Sequence, residues 1–73
     1  MTLADAPFQT VLTIQSLAPE GADLLHLGFV PGAQVRLVRT APLGDPVEVE
    51  IAGARLAIRK DALGAVEVVE VSK

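Results

Sequence analysis

Three strand-like runs in close succession decide the fold of this chain: Gln34–Thr40 (QVRLVRT), Val47–Ile51 (VEVEI) and residues 54–59 (ARLAIR). Each run alternates apolar and polar side chains, as in a strand that buries one face. Six residues, APLGDP, separate the first two runs, and Ala52-Gly53 separates the last two. These spacers suit a loop and a tight two-residue turn. The runs therefore predict an antiparallel meander.

One register of this meander matches apolar side chains on one face and opposite charges on the other. On the apolar face it pairs Ile51 with Ala54, Val49 with Leu56, Val47 with Ile58, Val35 with Ile51, and Leu37 with Val49. On the polar face it places Glu50 between Arg36 and Arg55, which predicts a ladder of alternating charges. A slip of one residue would destroy both patterns, so this register is the predicted one.

Two more strands are predicted outside the meander. Residues 8–17 form the first, with Phe8, Thr10, Leu12 and Ile14 on one side, and residues 66–71 form the last. Five short strands in so small and apolar a chain would leave exposed edges unless they curl into a barrel. We predict a small all-β domain covering residues 1–73, an SH3-like five-stranded barrel with a short helix inserted after the first strand.

Two short helical segments complete the predicted fold. Pro19 and Glu20 suit the first turn of a helix, which we expect to run to about Leu27. Gly28 then ends it as a left-handed C-terminal stop. Residues 60–64 are predicted to form a single helical turn before the last strand.

Composition excludes several classes of function. The chain has 73 residues, a net charge of −3, two aromatic residues and no cysteine. Disulfides and thiolate chemistry are therefore excluded, and a nucleic-acid partner is not expected from an acidic chain that lacks aromatics for base stacking. The longest uncharged stretch, residues 6–19, is too short and too polar to cross a bilayer. We expect a cytoplasmic protein without direct membrane insertion.

The sequence supplies no set of catalytic residues. No serine forms a nucleophile turn with His26, and no glycine turn carries a phosphate-binding lysine. We therefore predict that the protein is not an enzyme and has no catalytic residues and no bound cofactor. Asp23 and His26 lie three residues apart on the predicted helix and are the candidates for a metal ion, but two ligands fall short of a closed site, so no metal site is predicted.

Surplus apolar residues mark a candidate partner surface. On an α-helix, Leu24 and Leu27 share a side, while Leu25 points about 100° away. Two of these leucines can fill the mouth of the barrel and leave the third as an ordinary exposed leucine. Alternatively, the surplus leucine belongs to an apolar patch that binds a partner.

Two further residues extend this candidate surface. Turn chemistry explains the prolines, glycine and aspartate of APLGDP, but it does not explain Leu43 at the tip of the turn. The predicted register places Val38 on the polar face beside Glu48 and Ala57. The predicted partner-binding residues are Leu24, Leu25, Leu43 and Val38.

Two segments resemble the FeoA family: residues 24–32 (LLHLGFVPG) and residues 41–46 (APLGDP). Residues 56–62 and 66–68 are similar to the family's segments before and within its last strand, so that the resemblance covers residues 10–71. Many members carry a basic residue before the helix leucines, where this chain has Ala22 and Asp23. A partner contact through positive charge at that point is therefore not expected.

The resemblance implies a small cytoplasmic accessory protein of bacterial ferrous iron uptake. Such a protein would act by contact with the membrane permease FeoB, whose cytoplasmic part includes a GTP-binding domain. The alternative is a small transition-metal-binding or iron-sensing SH3-like module, because similar domains resemble the C-terminal part of iron-dependent repressors. An apolar patch on a chain of this size can also produce weak homo-oligomers.

Overall fold

The computed structural model describes residues 1–71, which form one antiparallel sheet with short helical connections. The five strands are β1 (Leu12–Leu17), β2 (Gln34–Thr40), β3 (Val47–Ile51), β4 (Ala54–Ile58) and β5 (Val66–Glu70), in the spatial order β4-β3-β2-β1-β5. A short turn covers Leu3–Asp5, a longer segment that we call the 3-10 helix covers Pro19–Leu27, and α1 covers Lys60–Leu63. The predicted all-β, SH3-like fold is confirmed.

The predicted register of the meander is also confirmed. All five β3–β4 pairs form as expected, and β2 pairs with β3 through Val35–Ile51, Arg36–Glu50 and Leu37–Val49. Val35 and Leu37 of β2 and the apolar side chains of β3 are almost completely buried, and Phe29 is the largest fully buried side chain of the core. Burial of each such side chain stabilises the fold by about 1.5–3 kcal/mol.

The position of Val38 was predicted wrongly. A bulge between Leu37 and Arg39 shifts the pairing, so that Arg39, and not Val38, lies opposite Glu48. Val38 is half-buried as a result. A bulge adds one residue to one strand and re-aims the side chains that follow it, which places Arg39 on the charged face.

The first strand begins later than predicted, because the chain turns at Gln9. This residue has a φ of 61°, which few non-glycine residues adopt. Its backbone N–H donates to the carbonyl of Leu37 at 2.8 Å, and its side-chain amide donates to the carbonyl of Val38 at 2.8 Å. Phe8 thus lies outside β1 and is half-exposed. Gln9 satisfies the two carbonyls at the bulge and holds it in place.

The segment predicted as a helix from Pro19 to Leu27 is present in 3-10 form. With about three residues per turn, Gly21, Leu24 and Leu27 follow one row along it. Gly21 and Leu24 are buried. Gly28 has a φ of 99° and ends the helix, as predicted, with its N–H directed to the carbonyls of Leu24 and Leu25. This left-handed cap turns Phe29 into the core.

The two edges of the sheet differ. Outside β5, the N–H of Val68 donates to the carbonyl of Met1 at 2.9 Å, and Thr2 forms a bridge with Glu67. Among residues 1–71, β4 pairs only with β3. The sequence predicted that both edges of the sheet would be covered. The structure covers the edge at β5 but leaves the edge at β4 open.

The charged face carries a longer ladder than the sequence predicted. Arg36 contacts Glu50 at 2.8 Å, and Arg55 contacts Glu50 at 3.8 Å. Because of the bulge, Glu48 joins the ladder through Arg39 at 2.7 Å and Arg55 at 3.3 Å. The hydrogen bond from Arg39, with a smaller contribution from Arg55, lowers the pKa of Glu48.

This lowered pKa predicts how stability depends on pH. A carboxylate whose pKa is lower in the folded protein stabilises it above the unfolded pKa, and this contribution is lost as pH falls through the folded value. We expect Glu48→Gln to reduce the free energy of unfolding at pH 7, and the difference from the parent to shrink as pH falls below 4.5. Urea unfolding of both proteins from pH 7 to pH 3 measures this difference.

The Arg39→Ala background is the control for Glu48→Gln, because it removes the main cause of the lowered pKa. In that background the effect of Glu48→Gln should depend less on pH. A difference between parent and Glu48→Gln that stays constant from pH 7 to pH 3 would contradict the role assigned to this ion pair.

Gly21 provides a second prediction. A Cβ at Gly21 would lie 2.7 Å from the Cβ of Ala65, so Gly21→Ala must push the 3-10 helix away from the start of β5. We expect a loss of about 1–3 kcal/mol in the free energy of unfolding. Urea denaturation measures it, and Ala65→Gly in the same protein should recover part of the loss.

Gly64→Ala is the matched control for Gly21→Ala. Gly64 has a φ of −66°, and a Cβ there would meet only the carbonyl of Asp61 at 3.5 Å. This substitution should be neutral or stabilise by about 0.4–1 kcal/mol. If both alanine variants were equally stable, the close packing of Gly21 on Ala65 would be refuted.

Candidate partner surface

Residues 41–46 form a loop whose polar and glycine positions all have structural roles. The N–H of Gly44 donates to the carbonyl of Ala41 at 2.8 Å, and the N–H of Ala41 donates to the carbonyl of Pro46 at 3.0 Å. Gly44 has a φ of 92°, which a glycine adopts without strain. The carboxylate of Asp45 accepts the N–H of Lys60 at 2.9 Å and so ties the loop to the start of α1.

Leu43 has no such structural role. It lies at the tip of this loop and is 97% exposed, the highest value among the large apolar side chains. A leucine that contacts so little of its own chain does not stabilise the fold. The prediction that Leu43 binds a partner is thus compatible with its position.

A second apolar cluster lies at the end of the 3-10 helix. Leu25, Leu27 and Val30 are 44%, 46% and 42% exposed, and we call these three residues the helix-end patch. Leu24, which was predicted to take part in partner binding, is only 6% exposed and belongs to the core. It is therefore not available to a partner while the protein is folded.

Leu27 and Val30 were missed in the prediction of the partner surface. The i, i+3 spacing assigned Leu27 to the same buried side as Leu24. That side is buried at Gly21 and Leu24, but Leu27 lies at the last position of the helix, where almost half of its surface is exposed. Val30 lies in the loop that precedes β2, and its residue type carried no signal of exposure.

The structure does not bring the helix-end patch and Leu43 together. A Cβ at Gly28 would lie 3.9 Å from the Cβ of Ala52, so the helix ends beside the turn between β3 and β4. The loop of Leu43 connects the other ends of β2 and β3. The two apolar sites thus lie at opposite ends of β2, which has seven residues and is about 23 Å long.

Among the residues it describes, the structure adds no metal-binding candidate to the two predicted from the sequence. Asp23 and His26 are both exposed on the 3-10 helix. Within residues 1–71, no group of three or more histidine, aspartate or glutamate side chains is placed to hold a metal ion. In the same residues, no helix has the length and apolar character needed to cross a membrane.

Comparison with known proteins identifies the family. The model of the FeoA domain matches residues 1–70. The chain is 31% identical to iron(II) transport protein A from Clostridium thermocellum, with a TM-score of 0.85 over 97% of this chain and 46% of that one. It is 32% identical to FeoA from Stenotrophomonas maltophilia, an SH3 domain protein solved in complex with zinc, with a TM-score of 0.81 over 94% of this chain and 89% of that one.

The fold also occurs in proteins of another kind. A manganese-dependent transcriptional repressor shares it with a TM-score of 0.82 and 16% identity, over 97% of this chain and 41% of that one. At this identity the likeness shows the fold alone. The chain spans less than half of that repressor and of the Clostridium thermocellum protein. The match over residues 1–70 shows that the chain belongs to the FeoA family.

Proposed function

We propose that this protein is a cytoplasmic accessory of bacterial ferrous iron uptake that binds the cytoplasmic part of the permease FeoB. Membership of the FeoA family supports the transport system. The observation that carries the contact is Leu43, which is 97% exposed on a loop held by hydrogen bonds at both ends. A rigid loop loses little conformational freedom when it binds, so that more of the burial of its leucine contributes to affinity.

The helix-end patch supplies the second contact. Leu25 and Leu27 each leave almost half of their surface exposed, next to the well-packed cap of Gly28 and Phe29. Because this patch and Leu43 lie at opposite ends of β2, one small pocket of the partner cannot cover both. FeoB would bind along the length of β2, or through two separate segments. With Leu24 buried, Val38 is the weakest of the remaining predicted contact residues, because it is half-buried at the bulge.

The contact is tested with Leu43→Ser and Leu25→Ser. Each substitution should weaken binding at least about fivefold, the effect of losing roughly 1 kcal/mol. Because the two residues lie far apart, their effects should add in the double variant. Calorimetric titration against the cytoplasmic domain of the cognate FeoB, with GDP and with a non-hydrolysable GTP analogue, measures the affinities.

Two controls separate contact from folding. Leu43→Met keeps an apolar side chain at the tip and should retain affinity. Val69→Ser removes an exposed apolar residue of β5 that lies outside both sites, and it should leave affinity unchanged. Leu43→Ser should also melt at the parental temperature. Parental affinity of the folded double variant in both nucleotide states would refute the proposed contact.

A further inference from the structure

Within the part of the chain that the structure describes, the outer edge of β4 has unpaired backbone groups. In a hairpin closed by Ala52 and Gly53, hydrogen bonds to β3 alternate along the strand, so the backbone N–H and carbonyl groups of Arg55 and Ala57 point away from β3. Within residues 1–71, neither residue forms a backbone hydrogen bond outside the β3–β4 pair. An edge of this kind is a template for another strand.

Over residues 1–71, this edge lacks three of the usual protections against strand addition, namely proline, a bulge and a covering segment. Arg55 is the one charged side chain within β4. The register of β4 against β3 runs without a shift from Ala54 to Ile58, and β4 contains no proline. An open groove of about 560 Å³ crosses the charged face of the sheet next to β4, lined by Arg39, Glu48, Arg55 and Ala57 among others and by residues of the Leu43 loop. Side chains that an added strand places on the charged face would lie beside this groove.

Charged residues are distributed unevenly along the chain. Apart from Lys73, all basic residues lie between residues 36 and 60, namely Arg36, Arg39, Arg55, Arg59 and Lys60. Only three acidic residues lie in that segment, which therefore has a surplus of two positive charges in a chain of net charge −3. Arg39 and Arg55, whose side chains are 74% and 54% exposed, border the groove. Both arginines are paired with Glu48 or Glu50, so it is the surplus of two positive charges in the segment as a whole that favours an acidic partner.

We propose that the free edge of β4 binds an extended acidic segment of a partner protein, which adds to the sheet as a further strand. The inner neighbour of β4 indicates which side chains pair well with it. This neighbour, β3, alternates valine and glutamate, and its Glu48 and Glu50 contact Arg55. A segment with glutamates on the charged face and an apolar residue opposite Leu56 repeats this arrangement. The site is separate from Leu43 and the helix-end patch and does not rest on the function proposed above.

A second copy of this chain fits the edge less well. Two β4 strands paired about Leu56 would place Arg55 diagonally across from Arg55 and Arg59 of the other copy. The other pairings that match the outward groups place Arg55 directly opposite one of these two arginines. Like charges at such positions are unfavourable. The occupant is therefore an acidic segment and not another β4.

The test uses a fluorescent, end-blocked peptide, Thr-Val-Glu-Val-Glu-Val-Thr, titrated with the full chain by fluorescence anisotropy. The control peptide has lysine in place of both glutamates. We expect the glutamate peptide to bind roughly tenfold more tightly, since one glutamate lies directly opposite Arg55 and the other, opposite Ala57, lies diagonally across from Arg55 and Arg59, whereas the lysine peptide has positive charge at both positions. Hydrogen exchange followed by NMR should show new protection of the Arg55 and Ala57 amides when the glutamate peptide is bound.

Two changes test the backbone pairing itself. Ala57→Pro removes one outward N–H at a position where an edge strand can accept proline, and it should abolish binding. Methylation of the two glutamate amide nitrogens in the peptide removes the same interaction from the other side. The methylated peptide gives an answer with the unmodified protein, even if Ala57→Pro does not fold.

Three outcomes would overturn the proposal: no saturable binding of the glutamate peptide, equal affinity for the lysine peptide, or full affinity of the methylated peptide. Sedimentation of the protein alone provides a further test. If the parent is a dimer and folded Ala57→Pro is a monomer, the edge is occupied by a second copy. Each of these results is independent of binding to FeoB through Leu43.

Discussion

The alternation of apolar and polar side chains along β3 is the constraint on which the rest of the structure depends. Val47, Val49 and Ile51 are at most 2% exposed, while Glu48 and Glu50 lie on the opposite face. Because β3 lies between β2 and β4, both neighbours must present apolar residues on one face and basic residues on the other. A shift of one residue in either pairing would bury charge and expose the core.

This double constraint explains why the sheet could be predicted from the sequence. Each pair in the meander is supported by burial on one face and by charge on the other, and the short connections leave few alternatives. The bulge at Val38 could not be predicted in this way. Its hydrogen bonds come from Gln9, a residue 29 positions away whose positive φ has no signal in a sequence of common residue types.

The helix illustrates a second limit. The sequence identified its beginning at Pro19 and its end at Gly28, because both residues have a local stereochemical preference. It did not reveal the 3-10 form or the close approach of Gly21 to Ala65. The i, i+3 spacing predicted that Leu24 and Leu27 would lie on the same side of the helix. In the structure Leu24 is buried and Leu27 is half-exposed. Exposure at a helix end depends on where the neighbouring elements stop, which is a tertiary property.

The loop of Leu43 shows how a binding residue can be separated from structural ones. Its turn could be predicted from proline, glycine and aspartate, but the bond from Lys60 to Asp45 joins residues 15 positions apart. Once Gly44 and Asp45 are assigned these roles, Leu43 is the one large apolar side chain of the loop, and it contributes almost nothing to the core.

The sheet determines how the surfaces of this domain are arranged. In this protein β2 sets the separation between Leu43 and the helix-end patch. β4 carries one basic side chain, Arg55, and within residues 1–71 its outer edge is unpaired. Glu48 pairs with both Arg39 and Arg55, so the charged ladder brings these two side chains together on the face of the sheet that β3 and β4 share. The register that folds the sheet therefore also determines which surfaces face a partner, and a change in the core would alter binding through the positions of these surfaces.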